Sequence, residues 1–572
     1  MSTTRPPTRP QVDPLRSGAP ITYPPDVHGL NAFDLDRNLQ RLLAHRVPAF
    51  LARHRTRLSA FGAWVGGPLD HQAAYSDRHA RPVVEAYAPT GEVRGRVIVN
   101  PAYESCHQDA YRYGVIGLAH DENEPDGHLV SFVMGYLLSY ADIAIHCPVT
   151  MTGAVAHVLA HIAPAAVRAK YLPALIRMDG RTISAGTWAT ERHGGSDVGA
   201  SATEARPDGP AWRLRGLKWF ASNAGGGLAL ATARPAGAPP GGRGLGCYLV
   251  PQMLPDGTRN SYWVRRLKDK LGTRALPTGE IELDDAWALE VAAPPEGLKA
   301  MMEALEYSRI HNAMAACAVQ RRAFLEAVCW ATHRIAFGHA IASYPMVRDV
   351  LLDLATEQEA GLALACEAAL AFAAAGRDPT ARPWLRTVTA LAKDRTAEAG
   401  VRAATRAIEV IGGNGYTEDW PTARLLRDAM VLPVWEGPPN IQALELLRVT
   451  TGKVRGDSAF LSRIEDIVEA LPPALDDLAA SLRPALDDCR AALAYLRRRP
   501  EDGPRHGRRL VEMMADTLCA ALLAEEAAAD LDAGDGRKAL IARRYVRARF
   551  DGRLPITSDA DPAQAAFAQI IG

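Results

Sequence analysis

Three stretches of this chain carry residue types suited to chemistry on a planar cofactor and a weakly acidic C–H bond. In "VWEGPPNIQ", 434–442, the carboxylate of Glu436 sits between an indole, Trp435, and a glycine, and two prolines close the turn. A glutamate there is either an ordinary surface carboxylate or a base lifted in pKa by apolar surroundings; local composition leaves both readings open. In "TWATERHGGSDVGAS", 187–201, glycines permit close backbone approach, while Thr190, Ser196 and Asp197 offer hydrogen-bonding groups. Such a loop could hold a polar cofactor, although composition alone favours a plain connection. In "GLKWFASNAGG", 216–226, Trp219 and Phe220 precede Ser222, so a heterocycle could lie on an aromatic face with a hydroxyl at its edge. Period-two alternation supports equally well a strand with one ring inside and one outside.

The elements that must position these groups follow from the texture of the chain. Residues 1–30 form a Pro-rich N-terminal arm. Residues 31–181 have helical periodicity, as in "DRNLQRLLAHRVPAFLARH". From 182 to 295, short β-type runs alternate with Gly/Pro turns, which predicts a small barrel or sandwich. Long Ala-rich amphipathic helices return over 296–450, and a further helical segment fills 451–572. The predicted fold is mainly α with a β middle domain and an extra C-terminal helical domain. In the third motif region, 409–448, "GGNGY" could approach a phosphate or merely end a helix, and "ARLLRDA" precedes the loop that carries Glu436.

Composition sets limits on partners. Lys+Arg and Asp+Glu number 65 each in 572 residues, with a pI near 7.3, so no whole-molecule charge draws the chain to nucleic acid or membrane. Eight scattered cysteines without a CxxC pair fit reduced thiols in a cytoplasmic protein. The N-terminus has no apolar stretch of signal-peptide type, and no later run is expected to be long and apolar enough to span a bilayer. His157 and His161 in "HVLAH" have zinc-ligand spacing but lack a third ligand, so no metal is expected. "GGRGLG", 241–246, precedes a strand instead of linking a strand to a helix, which argues against a Rossmann phosphate loop.

Taken together, "TERHGGSDV", "KWFASN", "RIAFG" and "GGNGY" followed by "LLRDAMVLPVWEGPPNIQ" resemble, in order and spacing, the motifs of the acyl-CoA dehydrogenase superfamily over about residues 150–450. "CPVTMT", "RRLKDKLGTRALPTGEIEL", the N-terminal arm and the extra C-terminus are similar to its AidB-like branch, which is associated with the adaptive response to alkylation. The resemblance implies a protomer that binds FAD without a Rossmann fold, in a homotetramer. It places Thr190, Ser196, Phe220 and Ser222 beside the flavin, with Ser196 also toward acyl-CoA. Arg334 and Phe337 would reach FAD across a subunit interface. Gly413, Gly437 and Asn440 would lie along the cofactor, Arg309 near the substrate, and Glu436 at the catalytic-base position. The chain departs from the pattern at Glu409, where the family has Gln, and at Pro438, which removes a hydroxyl and an N–H. A carboxylate at 409 pointing inward would oppose the FAD phosphates.

The resemblance implies α,β-dehydrogenation of an acyl-CoA thioester, with Glu436 taking the α-proton as hydride passes to flavin N5 and an electron-transfer flavoprotein as acceptor. Two alternatives stand beside it: a flavin oxidase on the same scaffold, and a flavoprotein that binds double-stranded DNA. The DNA reading rests on Arg497, Arg498, Arg499, Arg508, Arg509, Arg543, Arg544, Arg547 and Arg549. Acidic residues slightly outnumber basic ones over 451–572, which favours a solvated helix face for these arginines.

Overall fold

The computed structural model describes residues 26–551 and 561–571, so nearly all of the N-terminal arm expected over 1–30 lies outside the described residues. Seven helices come first: α1 (Arg37–Arg46), α2 (Pro48–Trp64), α3 (Asp70–His79), α4 (Pro101–Arg112), α5 (Gly127–Ala141), α6 (Ile143–His161) and α7 (Ala165–Leu175). A hairpin of β1 (Val83–Tyr87) and β2 (Val93–Ile98) lies between α3 and α4. The helices α5 and α6 hold no Lys, Arg, Asp or Glu and are buried on nearly every face. Asp142 separates them and caps α6, accepting from the backbone N–H groups of Ala144 (2.7 Å) and Ile145 (3.2 Å).

The middle of the chain is the predicted β domain. Its strands are β3 (Ala185–Trp188), β4 (Glu204–Asp208), β5 (Ala211–Ser222), β6 (Leu228–Pro235), β7 (Gly246–Pro251), β8 (Tyr262–Leu267) and β9 (Thr278–Ala292). Pairing runs β6–β4–β5–β9–β7 and closes by β7 on β6, giving a small barrel with β3 and β8 added at its sides. Two register shifts along β5, between Leu214 and Gly216 and between Lys218 and Ala221, let this long strand coil around the barrel. Residue 216 must be glycine, because a Cβ there would come within 2.4 Å of Thr203 Oγ1.

A second helical layer follows. The 37-residue α8 (Gly297–His333) packs on α5 and α6 and on the two long helices α9 (Pro345–Arg377) and α10 (Arg382–Ile411). Between α8 and α9 the two-residue strands β10 (Ile335–Ala336) and β11 (His339–Ala340) make a small hairpin. The short α11 (Pro421–Ala429) and α12 (Pro439–Thr451) flank the loop that carries Glu436. Then α13 (Gly456–Ala470), α14 (Asp476–Arg498), α15 (Gly503–Asp532) and α16 (Arg537–Phe550) pack against one another and against α9, α10 and α12.

Contrary to the expectation from sequence, α6 and α9 are long and apolar enough by composition to cross a membrane. Their apolar windows are 89% and 78% buried inside the molecule, which marks them as core helices.

Buried charges tie the C-terminal helices to the rest. Lys538 on α16 is 1% exposed, and its Nζ donates to Glu359 Oε2 (2.6 Å) and Asn38 Oδ1 (2.7 Å) and pairs with Glu526 Oε2 (2.8 Å). Four helices, α1, α9, α15 and α16, therefore meet at one ammonium. Replacing Lys538 by Met leaves two carboxylates facing each other without this cation. The expected cost is about 3 kcal/mol of unfolding free energy in urea denaturation; a loss within error would show that the cluster contributes no net stability.

Candidate active site

Glu436 sits on a turn that its own residue type disfavours. Its φ is +56°, in the left-handed region, and Gly437 follows at +94°. A non-glycine residue held there costs on the order of 1 kcal/mol and must be fixed by its surroundings. The clamps are side chains from the flanking helices. Arg309 Nε on α8 donates to the Glu436 carbonyl at 3.0 Å, and Gln442 Nε2 on α12 donates to the Glu436 and Gly437 carbonyls at 3.1 and 2.9 Å. Lys393 Nζ on α10 donates to the Gly437 carbonyl at 2.7 Å. The Trp435 indole N–H donates to Asn312 Oδ1 on α8, and Asn312 Nδ2 donates to the Leu432 carbonyl at 3.3 Å.

These clamps all act on the backbone or on Trp435, and they leave the carboxylate itself free. Glu436 Oε2 is buried without a hydrogen-bond partner. Burial lifts the Glu436 pKa to about 7, against the opposing pull of the Arg309 and Lys393 charges. Among the described residues, nothing accepts the Glu436 backbone N–H either. The turn thus presents a base and a hydrogen-bond donor side by side.

The barrel supplies the opposite wall. Within the first motif, Glu191 accepts from the Ala202 N–H (2.8 Å) and from Thr203 Oγ1 (2.6 Å). Lys218 of the second motif, fully buried, donates to Glu191 Oε1 at 2.7 Å and to the Thr232 carbonyl at 2.8 Å. This ion pair holds Glu191 below its usual pKa, against the desolvation that opposes it, and pins the Thr190 loop to β5. The Trp219 N–H also donates to the Thr190 carbonyl, at 2.9 Å. Thr190 is half-buried and Ser196 exposed. Phe220 is 55% exposed, and Lys268 Nζ lies 3.4 Å from the Trp219 ring centroid and 4.8 Å from that of Phe220. Ser222 is half-buried and lies near the Cys147 thiol on α6, whose pKa burial and the Glu436 carboxylate push up to about 12. Cys147 therefore links the Ser222 side of the site to the Glu436 side.

An open aromatic face, hydroxyls at its edge and nearby ammonium groups fit a flavin, whose ring is planar and apolar on its faces and polar along its rim. The other expected positions differ in exposure. Arg334 is exposed, and Phe337, at φ +51°, is 95% exposed at the tip of the β10–β11 hairpin. Gly413 and Asn440 are exposed, and Gly437 is half-buried behind the base. Glu409 points outward and pairs with Arg406 at 2.5 Å, which removes it as an anion facing a phosphate in this chain. Pro438 occupies the N-cap position of α12, with Pro439 as its first residue. His157 and His161 lie on α6 with tilted rings whose centroids are 4.4 Å apart, and His128 is edge-on to His157.

Most of the C-terminal arginines are engaged within the chain. Arg497 pairs with Asp457, Arg499 with Glu501, Arg508 with Glu398, Arg543 with Asp477, Arg544 with Asp349 and Asp353, and Arg549 with Glu357. Arg498, Arg509 and Arg547 form no ion pair among the described residues.

Residue reasoning did not single out Lys393, Gln442, Lys218, Glu191 or Cys147. For Lys393 a signal was present: it lies on the buried stripe Thr389–Lys393–Ala397, where a cation needs a partner.

Comparisons with known proteins identify the family. Residues 23–179 match the family model of the adaptive response protein AidB N-terminal domain, 186–286 the acyl-CoA dehydrogenase middle domain and 295–450 the acyl-CoA dehydrogenase C-terminal domain. The chain is 31% identical over 449 residues to acyl-CoA dehydrogenase family member 11 of Caenorhabditis elegans, covering 76% of this chain and 72% of that one. It is 33% identical over 379 residues to the putative acyl-CoA dehydrogenase AidB of Escherichia coli (strain K12), covering 64% and 69%. The crystal structure of Caenorhabditis elegans ACDH-11 in complex with C11-CoA superposes with a TM-score of 0.88 at 27% identity, over 94% of each chain. Fold and site define an FAD-dependent dehydrogenase scaffold. The chain belongs to the acyl-CoA dehydrogenase family, as an AidB-like member.

The raised pKa of Glu436 predicts a pH-dependent stability difference. Between the ordinary value of 4.5 and about 7, the unfolded chain ionises this group while the folded chain keeps it protonated. Stability is therefore lost as pH rises through that window. A Glu436→Gln variant should match the parent near pH 4.5 and exceed it above pH 7 by up to ~3 kcal/mol, measured by denaturant unfolding. Equal stabilities at about pH 8 would contradict the buried, partnerless carboxylate.

Proposed function

We propose that this enzyme dehydrogenates an acyl-CoA thioester between its α and β carbons, with Glu436 as the base. The observation that carries the reading is the Glu436 carboxylate, buried without a partner at Oε2 on a turn fixed by Arg309, Lys393 and Gln442. A carboxylate with a pKa near 7 is a better proton acceptor than an ordinary glutamate and is still about half ionised at neutral pH. An α-proton beside a thioester carbonyl is weakly acidic, and the free Glu436 N–H is a donor for the thioester oxygen as charge develops there. The α-proton goes to Glu436, the β-hydrogen leaves with its electron pair, and the C=C bond forms between the two carbons. Bound FAD supplies the acceptor for that hydride.

Thr190, Phe220 and Ser222 would hold the ring, with the exposed Arg334 and Phe337 of another subunit completing the site. The near-complete exposure of Phe337 supports the homotetramer, since this chain offers the ring little cover. The likeness to ACDH-11, solved with C11-CoA, supports an acyl-CoA substrate. Arg309 acts by holding the base loop, its Nε being spent on the Glu436 carbonyl. An electron-transfer flavoprotein is the proposed acceptor; reoxidation faster by molecular oxygen would point to an oxidase instead. Of the nine candidate arginines, Arg498, Arg509 and Arg547 alone form no ion pair among the described residues, so duplex binding through this segment is expected to be weak and lost between about 50 and about 200 mM salt.

Anaerobic titration of the FAD-loaded protein with a series of acyl-CoA thioesters tests the proposal. At least one chain length should bleach the flavin, and Glu436→Gln should slow bleaching by at least ~100-fold. A flavin left oxidised by every acyl chain, or undiminished rates in the variant, would sink it.

A further inference from the structure

A chain of hydrogen bonds runs from an enclosed ammonium to the hydroxyl on the flavin side of the cleft. Lys270 Nζ donates to the Leu276 carbonyl at 2.8 Å and to Thr278 Oγ1 at 3.0 Å. Thr278 is buried at the start of β9, and its Oγ1 lies 3.1 Å from Ser222 Oγ on β5, the residue it pairs with across the sheet. The loop that carries Lys270 is fixed against α11. A Cβ at Gly272 would meet the Arg427 carbonyl at 2.1 Å, and the Thr273 N–H donates to Asp428 Oδ1 at 2.5 Å. Lys270 is thus delivered to Thr278 by a contact between the barrel and the second helical layer.

The chemistry of the three groups sets the direction of the bonds. An ammonium has three donors and no acceptor, so Thr278 Oγ1 must accept from Lys270. The Thr278 proton is then free to go to Ser222 Oγ, and Ser222 keeps its own proton for another acceptor. The Cys147 thiol beside Ser222 is a weak acceptor and competes poorly with a heterocyclic nitrogen or oxygen. Burial lowers the Lys270 pKa to about 8, with Cys147 and Asp428 pulling the other way, so the group is largely charged at neutral pH. With a neutral residue at 270, the two hydroxyls could reverse their roles.

We propose that Lys270 is a positioning residue that orients the Thr278–Ser222 pair, so that Ser222 donates its hydrogen bond to the electron-rich edge of bound flavin. This rests on the FAD-dependent reading above. The relay stabilises the flavin more strongly when it is reduced, because electron density at that edge then rises.

The test is the two-electron reduction equilibrium of bound FAD against a reference dye, in the parent and in K270M, T278V, the double variant K270M/T278V, K270R and T278S. K270M and T278V should each shift the equilibrium toward oxidised flavin by about tenfold, or ~30 mV for a two-electron couple. The double variant should shift it no further than either single one, since both break the same chain. K270R and T278S should stay near the parent. A shift in K270M with none in T278V would mean that the charge acts through space, and additive shifts or no shift would equally overturn the relay. If K270M fails to fold or to hold FAD, T278V against T278S decides, with equal values refuting the proposal. A parent protein that binds no FAD would instead refute the functional reading itself.

Discussion

The structure depends on holding one carboxylate where it has no partner. A partnerless glutamate oxygen in the interior is costly, and so is a glutamate in the left-handed region. Both costs fall on residue 436, and both are met by groups that bind the main chain around it. Arg309, Lys393 and Gln442 come from α8, α10 and α12, so the turn is fixed only when these three helices are packed. The two nearby cations temper the rise in the Glu436 pKa and make no hydrogen bond to its Oε2. The second helical layer is the frame that keeps this base available.

The barrel wall follows the same principle with opposite means. There the buried charges are fully satisfied: Lys218 and Glu191 use each other and the surrounding backbone and hydroxyl groups. Such a pair adds little net stability, since desolvation offsets attraction, but it fixes how a loop meets a strand. The C-terminal helices use Lys538 and Glu359 in this way on a larger scale, while Glu526 pairs through Oε2 and keeps Oε1 without a partner. Paired charges set geometry, and the carboxylate of Glu436 lies where the ordered motifs put the chemistry.

Much of this was legible in the chain before folding. Alternating short runs between Gly/Pro turns gave away the barrel, and Ala-rich periodic segments gave away the helices around it. Residue patterns alone left Glu436 open; the ordered motifs singled it out. What they could not show is how it is held, because Arg309, Lys393 and Gln442 lie far apart in sequence and meet at the turn only when three helices pack. No run was expected to be long and apolar enough to span a bilayer, yet α6 and α9 reach that composition because they are buried against other helices. The arginine clusters look as a string like a phosphate-binding surface, while in three dimensions acids from α9, α10 and other helices pair with most of them. Phe337, by contrast, is a feature that one chain cannot explain, which is the physical reason to look to a second subunit.

The central claim is that a glutamate with a pKa near 7 removes the substrate's α-proton. The most direct measurement is the rate of flavin reduction by a saturating acyl-CoA, followed by anaerobic stopped flow from about pH 5 to about pH 9. The rate should rise with pH and level off, with its inflection near 7. A flat profile over that range, or an inflection near the ordinary glutamate value of 4.5, would contradict the account.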